Sequence, residues 1–216
     1  MENFSKNQLE RYPIYLKYFK ELEKNGIQEI SSPKIADKLG YSQEQVRKDL
    51  QAISGEPGKP KRGRSVEQLI SDIETFLGYR DATTAVVIGT GHLGGALLNY
   101  PAFQGMGLEI VAGFDNDPEK VGTLMSGKMI FSSARLGDLL PRLNAHIAII
   151  CVPAHAAQGV VDEAVKFGAK GIWNFAPTHV SVPRGVIIKN ENLAASLAIL
   201  SKELSKNMAA GKVMPF

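Results

Sequence analysis

The stretch Thr84-Ala85-Val86-Val87-Ile88-Gly89-Thr90-Gly91-His92-Leu93-Gly94 decides the fold. Small and β-branched apolar residues lead into Gly-x-Gly-x-x-Gly, and a helical pattern then runs to about Tyr100. A strand, a tight turn and a helix in that order form a unit that holds a dinucleotide. Gly89 permits the turn, Gly91 lets the backbone approach a pyrophosphate, and Gly94 lets the helix pack close to the strand. The first turn of the helix offers unpaired N–H groups to the phosphates. An acid, Asp115, closes the next strand 21 residues after Gly94 (115 − 94). A carboxylate there accepts hydrogen bonds from ribose hydroxyls and repels a 2′-phosphate. Asn116 and Asp117 follow with no arginine beside them, so NAD(H) is expected rather than NADP(H).

Downstream, strands and helices alternate. Strands are expected at Thr84–Ile88, Glu109–Asp115, Met129–Phe131, His146–Val152, Gly171–Phe175 and Val186–Lys189, with helices near Ala134–Leu143 and Ala156–Phe167. Such alternation predicts a Rossmann-like, doubly wound parallel sheet. The most apolar strand, His146–Val152, is expected at its centre. Ligands sit at the carboxyl ends of such strands, which nominates Cys151, Val152, Pro153, Ala154, His155, Asn174 and Phe175 for the same crevice. His92 and His155 read more simply as a turn residue and a helix start than as acid–base groups. Cys151 reads as a small buried residue.

Upstream, the pattern is helical. Leu9–Leu22 carries Ile14, Leu16, Tyr18, Phe19 and Leu22. Ser32-Pro33 starts a short helix that Gly40 ends. Ser42, with Gln45 three residues on, starts another whose apolar face is Val46, Leu50 and Ile53. A Gly/Pro-rich basic loop follows, with Lys59, Lys61, Arg62 and Arg64 and no acid among them, and then a helix from Val66 to Leu77. Three helices and a basic loop predict a winged helix-turn-helix. Ser42, Gln43, Gln45, Arg47 and Lys48 would face a major groove, and Lys59, Lys61, Arg62 and Arg64 would lie along the backbone or minor groove. The net charge of +3 is too small to indicate nucleic acid by itself, so the local cationic loop carries that reading.

The expected organisation is a winged-helix DNA-binding domain over 1–80, a Rossmann NAD(H)-binding domain over 81–191, a dimerisation helix over 192–206 and a flexible tail over 207–216. The final helix is apolar on more than one face, as a helix packed between two surfaces would be. One cysteine excludes an intrachain disulfide and a multi-thiolate zinc site, and no metal is expected. No secretory signal or membrane span is read, so a cytoplasmic protein is expected.

Both halves together resemble the Rex family of redox-sensing transcriptional repressors. The matching stretches are Arg11–Leu16, Ser42–Leu50, Gly89–Gly94, Phe114-Asp115, Val152-Pro153-Ala154, Asn174–Pro177 and the last helix, and the likeness runs to about Lys206. The resemblance implies a homodimer that binds palindromic operator DNA when NAD⁺ dominates and leaves it when NADH rises, repressing genes of fermentation and respiration. It also implies that the C-terminal helix is exchanged between subunits. A tyrosine near the nicotinamide matches Tyr100. An arginine that pairs with an acid before the last helix matches Arg11, but the acid's position holds Asn192, next to Leu193. That departure, and a wing of Pro60-Lys61-Arg62 and Arg64 in place of a tyrosine-containing loop, set this chain apart from the family pattern. The competing readings are a small NAD-dependent oxidoreductase with an accessory helical domain, and a nucleotide-binding interaction module. Against the oxidoreductase, little chain remains for a substrate domain and no convincing hydride-transfer constellation stands out.

Overall fold

The computed structural model describes residues 4–54, 63–79 and 83–210. The chain divides into two compact units, Met1–Ala82 with Gly105–Gly107, and Thr83–Gln104 with Leu108–Phe216.

The first unit packs four helices: α1 (Lys6–Lys24), α2 (Ser32–Leu39), α3 (Gln43–Ile53) and α4 (Val66–Phe76). Serine side chains cap three of them, Ser5, Ser42 and Ser65 each accepting a backbone N–H of the first turn. Gly40 ends α2 in the left-handed conformation. The start of α2 differs by one residue from the sequence reading, with Ser31 rather than Ser32 at the cap position. The first helix is longer than its apolar pattern suggested and contains Pro13. Its buried face also differs: Tyr12, Tyr15, Leu16 and Phe19 are inside while Ile14 is 44% exposed. The tyrosines go inside because their hydroxyls find partners there, as set out below. Two short strands, β1 (Glu29–Ile30) and β2 (Arg64–Ser65), pair antiparallel, and β2 opens at Arg64, the last basic residue of the expected loop. The loop residues Lys59, Lys61 and Arg62 lie outside the described residues.

The second unit is built on a seven-stranded sheet. Its strands are β3 (Thr83–Ile88), β4 (Leu108–Asp115), β5 (Leu124–Met125), β6 (Lys128–Ser132), β7 (Ile147–Ile150), β8 (Gly171–Asn174) and β9 (Ile187–Asn190). Their order is β5-β6-β4-β3-β7-β8-β9. Six strands are parallel, and β5 pairs antiparallel with β6 at one edge. The chain leaves β3 toward β4 on one side and returns to β7 on the other, so the order reverses between β3 and β7, where a doubly wound sheet opens a crevice. Period-two alternation sorts the core. Val86, Ile88, Phe114 and Ile150 face α6 (Leu136–Arg142) and α7 (Ala154–Lys166), while Ala85, Val87, Ile110 and Ile149 face the side covered by α5 (His92–Leu98).

The last helix, α8 (Leu193–Ala209), runs three residues beyond the expected end at Lys206, into the segment expected to be a flexible tail. No glycine or proline interrupts Asn207-Met208-Ala209, and alanine and methionine favour helix. Every residue of α8 is exposed, including Leu193, Leu197, Leu200, Leu204 and Met208.

Candidate dinucleotide site and nucleic-acid interface

The crevice at the switch point is a cavity of about 600 Å³ at the carboxyl ends of β3, β4, β7 and β8. That volume lies within the range of small-molecule sites. Gly89 sits between the two diverging strands, its N–H donating to the Phe114 carbonyl at 2.8 Å. Its φ of +90° is in the left-handed region, and a Cβ there would lie 2.7 Å from the Cys151 carbonyl. Only glycine fits. Gly94 is equally constrained, because a Cβ would overlap the Gly89 carbonyl oxygen and touch Val87. These two glycines let strand, turn and helix approach, and leave backbone rather than side chain at the turn.

Of the residues nominated from sequence, Gly89, Gly91, Leu93, Asp115, Val152, Pro153 and Phe175 line the cavity, as do Cys151 and His155. Thr90 is buried and turns its hydroxyl away to Asp115. His92 and Ala154 are exposed at the starts of α5 and α7. Asn174 is fully buried, and its amide is spent on a clasp. It donates to the Thr178 carbonyl and to Asn190 Oδ1, both at 2.8 Å, and accepts from the Ala176 N–H. Tyr100 does not line this cavity. It borders a separate one of about 170 Å³ with Phe103, Gln104 and Lys128. An aromatic ladder leads back from it to the crevice: Tyr100 to Phe103, Phe103 to Trp173 and Trp173 to Phe175, with ring centroids 4.8, 5.7 and 4.8 Å apart. Trp173 Nε1 donates to Glu191 at 2.9 Å, just before α8 begins.

Asp115 is more engaged than its sequence position suggested. Its Oδ2 accepts from the Thr90 N–H at 2.8 Å and the Thr90 hydroxyl at 2.7 Å, and its Oδ1 from the Asn116 and Asp117 N–H groups at 2.8 and 3.0 Å. Lys120 Nζ stands 3.4 Å from Asp115 Oδ2 and 3.2 Å from Asp117 Oδ2. Burial alone would raise the Asp115 pKa, but these donors and the lysine outweigh it and hold the carboxyl at about 2. The sequence reading missed Lys120, along with the lining residues Asn116, Ser133 and Pro177. A lysine five residues after the acid was the available signal. Cys151 differs in kind, since burial pushes its thiol up to about 12. It is therefore a protonated, weakly nucleophilic group.

In the first unit, α2 and α3 form the helix-turn-helix. Ser42 Oγ accepts the Gln45 N–H at 3.2 Å, as the capping pattern required. Gln43, Arg47 and Lys48 are exposed and Gln45 half-buried. Lys48 pairs with Glu44 at 2.8 Å on the same exposed face, a weak and salt-sensitive contact. Arg64 lies partly buried on β2. The feature the sequence did not reveal is Asp49, on the inward face of α3 and 3% exposed. Arg11 grips it with two hydrogen bonds, Nε to Oδ2 at 2.6 Å and Nη2 to Oδ1 at 2.8 Å. Tyr15 donates to Oδ2 at 2.9 Å, and Tyr12 to the Asp49 carbonyl at 2.9 Å. The hydrogen bond to Asp49 raises the Arg11 pKa further above its ordinary value. Arg11 is thus paired with Asp49 within the first unit. Asn192 accepts the Ala195 N–H at 2.8 Å as the cap of α8, and Leu193 opens that helix, 66% exposed.

Comparison with known proteins agrees with this arrangement. A family described as "CoA binding domain" matches residues 80–178, and one described as "Putative DNA-binding protein N-terminus" matches residues 3–51. The redox-sensing transcriptional repressor Rex of Clostridioides difficile (strain 630) is 39% identical over 200 residues, covering 93% of this chain and 95% of that protein. Rex of Clostridium botulinum (strain Eklund 17B / Type B) is 36% identical, covering 94% and 96%. Among solved structures, RSP in complex with β-NAD⁺ and operator DNA is 32% identical, with a TM-score of 0.89 and coverage of 98% and 97%. RSP in complex with β-NADH is 31% identical, with a TM-score of 0.86 and coverage of 99% and 100%. With a helix-turn-helix unit, a dinucleotide crevice and identity extending through both, the chain belongs to the Rex family of redox-sensing transcriptional repressors.

Proposed function

We propose that the chain is an NADH-sensing transcriptional repressor that binds operator DNA when NADH is low and releases it when NADH binds. The carrying observation is likeness along the whole chain to RSP, a repressor solved both with β-NAD⁺ on operator DNA and with β-NADH. The relatives are regulators rather than enzymes, which sets the oxidoreductase reading aside.

The crevice fits the cofactor. Gly89 and Gly91 keep side chains away from the pyrophosphate, Val152, Pro153 and Phe175 give apolar walls, and Asp115 with its neighbours lies at the adenine-side ribose. Thr90, His92, Leu93, Gly94, Ala154 and Asn174 shape the turn and the rim, and Tyr100 serves the nicotinamide end, a role supported by the aromatic ladder that joins it to Phe175. NADH supplies a neutral reduced ring where NAD⁺ carries charge. The site shifts the population of two states only to the extent that it binds NADH differently in each.

Ser42, Gln43, Gln45, Arg47 and Lys48 read the major groove, with Lys59, Lys61, Arg62 and Arg64 on the backbone or minor groove. The exposed apolar stripe of α8 supports a homodimer in which this helix is covered by a second copy, by subunit exchange. A palindromic operator follows from that two-fold symmetry. Arg11 holds the recognition helix through Asp49, and Asn192 and Leu193 set the start of α8 at the subunit contact. Among the described residues no helix is long and apolar enough to cross a membrane. A cytoplasmic location suits a DNA regulator with a single reduced cysteine. The test is a gel shift on a palindromic operator at fixed salt. NADH releases the DNA and NAD⁺ does not; equal release by both refutes the reading.

A further inference from the structure

Resting on the reading that the crevice holds the dinucleotide, we infer that His155 sets its preference between the two redox forms, the protonated imidazole favouring NADH over NAD⁺. The two ligands differ by one charge. Both carry two negative charges on the pyrophosphate, and only the oxidised ring adds a positive one. A charged side chain in the crevice therefore tells them apart, provided that no protein group has already neutralised it.

The ionisable side chains that line the cavity are Asp115, Lys120, Cys151 and His155. Three are committed. Asp115, held at about 2, is ionised throughout the neutral range and accepts four internal donors. The Lys120 ammonium lies 3.4 Å from Asp115 and 3.2 Å from Asp117, so its charge is answered within the protein. The buried Cys151 thiol, pushed up to about 12, stays neutral. His155 is different. It is exposed in the first turn of α7, and its ring makes no hydrogen bond or ion pair among the described residues. The nearest acids on α7, Asp162 and Glu163, lie roughly 10 Å along the axis, and Asp162 is engaged by Gln158. The loop after β8 lines the cavity with apolar Phe175 and Pro177, and its exposed His179 is not a lining residue. Pro153 caps α7 without a side-chain acceptor, so the helix start adds partial positive charge on the same wall.

Histidine is the side chain whose charge changes between about pH 5 and 8. Protonation of His155 thus adds a positive charge that no neighbouring acid answers. It attracts the pyrophosphate of either ligand and repels only the oxidised ring, an effect of about fivefold in affinity for a unit charge in a partly wet crevice. Discrimination therefore grows as pH falls, and NADH binding takes up more protons than NAD⁺ binding. The crevice reads acidity together with redox state, and acid lowers the share of NADH needed to fill it.

The test is calorimetric titration of the full-length chain with NADH, NAD⁺ and ADP-ribose between about pH 6.5 and 8.5, where no other lining side chain changes charge. Buffers of different ionisation enthalpy report the protons taken up. In the unaltered chain the ratio of the NAD⁺ to the NADH dissociation constant is expected to rise about fivefold from the upper to the lower pH. ADP-ribose, which has the pyrophosphate but no ring, is expected to follow NADH. His155→Gln should hold the ratio at its upper-pH value throughout, and His155→Lys at its lower-pH value, both without proton uptake. His179→Gln should keep the full pH response. His155 is exposed, so neither of its substitutions should shift the melting temperature. A ratio that stays within about twofold across the range in the unaltered chain overturns the assignment, and so does a pH response that survives in His155→Gln. Failure of the unaltered chain to bind either dinucleotide would instead overturn the reading of the crevice itself.

Discussion

Arg11→Met leaves Asp49 buried and charged without its counter-ion, and the cost can be worked from the contacts. Asp49 is 3% exposed and the Arg11 side chain 14%. Removing one partner of a buried pair costs about 3–5 kcal/mol, much of it the penalty of the abandoned charge. Here the lower end, about 3 kcal/mol, applies, because Tyr15 still donates to Asp49 at 2.9 Å. A unit of roughly 80 residues has only about 4–12 kcal/mol in total. The variant should therefore retain its fold but open far more often. Hydrogen exchange on peptides from α3 reads this directly: 3 kcal/mol corresponds to a loss of protection of roughly 150-fold. Arg11→Met with Asp49→Leu and Tyr15→Phe removes the carboxylate and both side chains that meet it, leaves the Tyr12 bond to the residue-49 carbonyl in place, and should recover much of the loss. If Arg11→Met alone changed α3 protection by less than threefold, the pair would contribute nothing net and the account would be wrong.

Asp115 gives a pH dependence. Its folded pKa of about 2 lies below its ordinary 3.8, so its stabilisation is complete above about pH 4 and is lost as pH falls through about 2. The urea midpoint of the second unit should fall over that interval, with a shallower slope in Asp115→Asn. With its pKa near 12, Cys151 should be alkylated by iodoacetamide at pH 8 roughly a thousandfold more slowly than a free thiol near 8.5; a rate within tenfold of the free thiol would contradict the burial. Leu200→Asp, on the exposed stripe of α8, should weaken self-association by roughly 30-fold or more in sedimentation while leaving the sheet intact, as the proposed covering of that stripe by a second copy requires.

What sequence alone conveyed follows from range. The six parallel strands, the glycine turn and the Ser42 cap are written in neighbours within a few residues of one another, so periodicity and spacing find them. The two-residue strands β1 and β5 carry no period of their own and exist only because β2 and β6 offer edges. The Arg11–Asp49 bridge spans 38 residues, and an acid inside an otherwise amphipathic helix reads as solvated until its partner is seen. Tyr12 and Tyr15 look like surface residues until their hydroxyl partners are known. At Asp115 the position was legible but not the competition for its lone pairs, because Thr90 lies 25 residues away. The end of α8 was placed early, since no stop signal marks where a helix frays.

The aromatic ladder gives the molecule an optical property. Trp173 is the only tryptophan in the chain, and it lies against Phe175 on the wall of the crevice. Indole emission overlaps the near-ultraviolet absorption of a reduced nicotinamide, which the oxidised ring lacks. Excitation of Trp173 should therefore pass to bound NADH and stay home with NAD⁺. The same indole holds Glu191 at the root of α8, so its emission would also register any movement of that helix. Cofactor redox state and α8 movement can thus be followed on one intrinsic fluorophore, without a label.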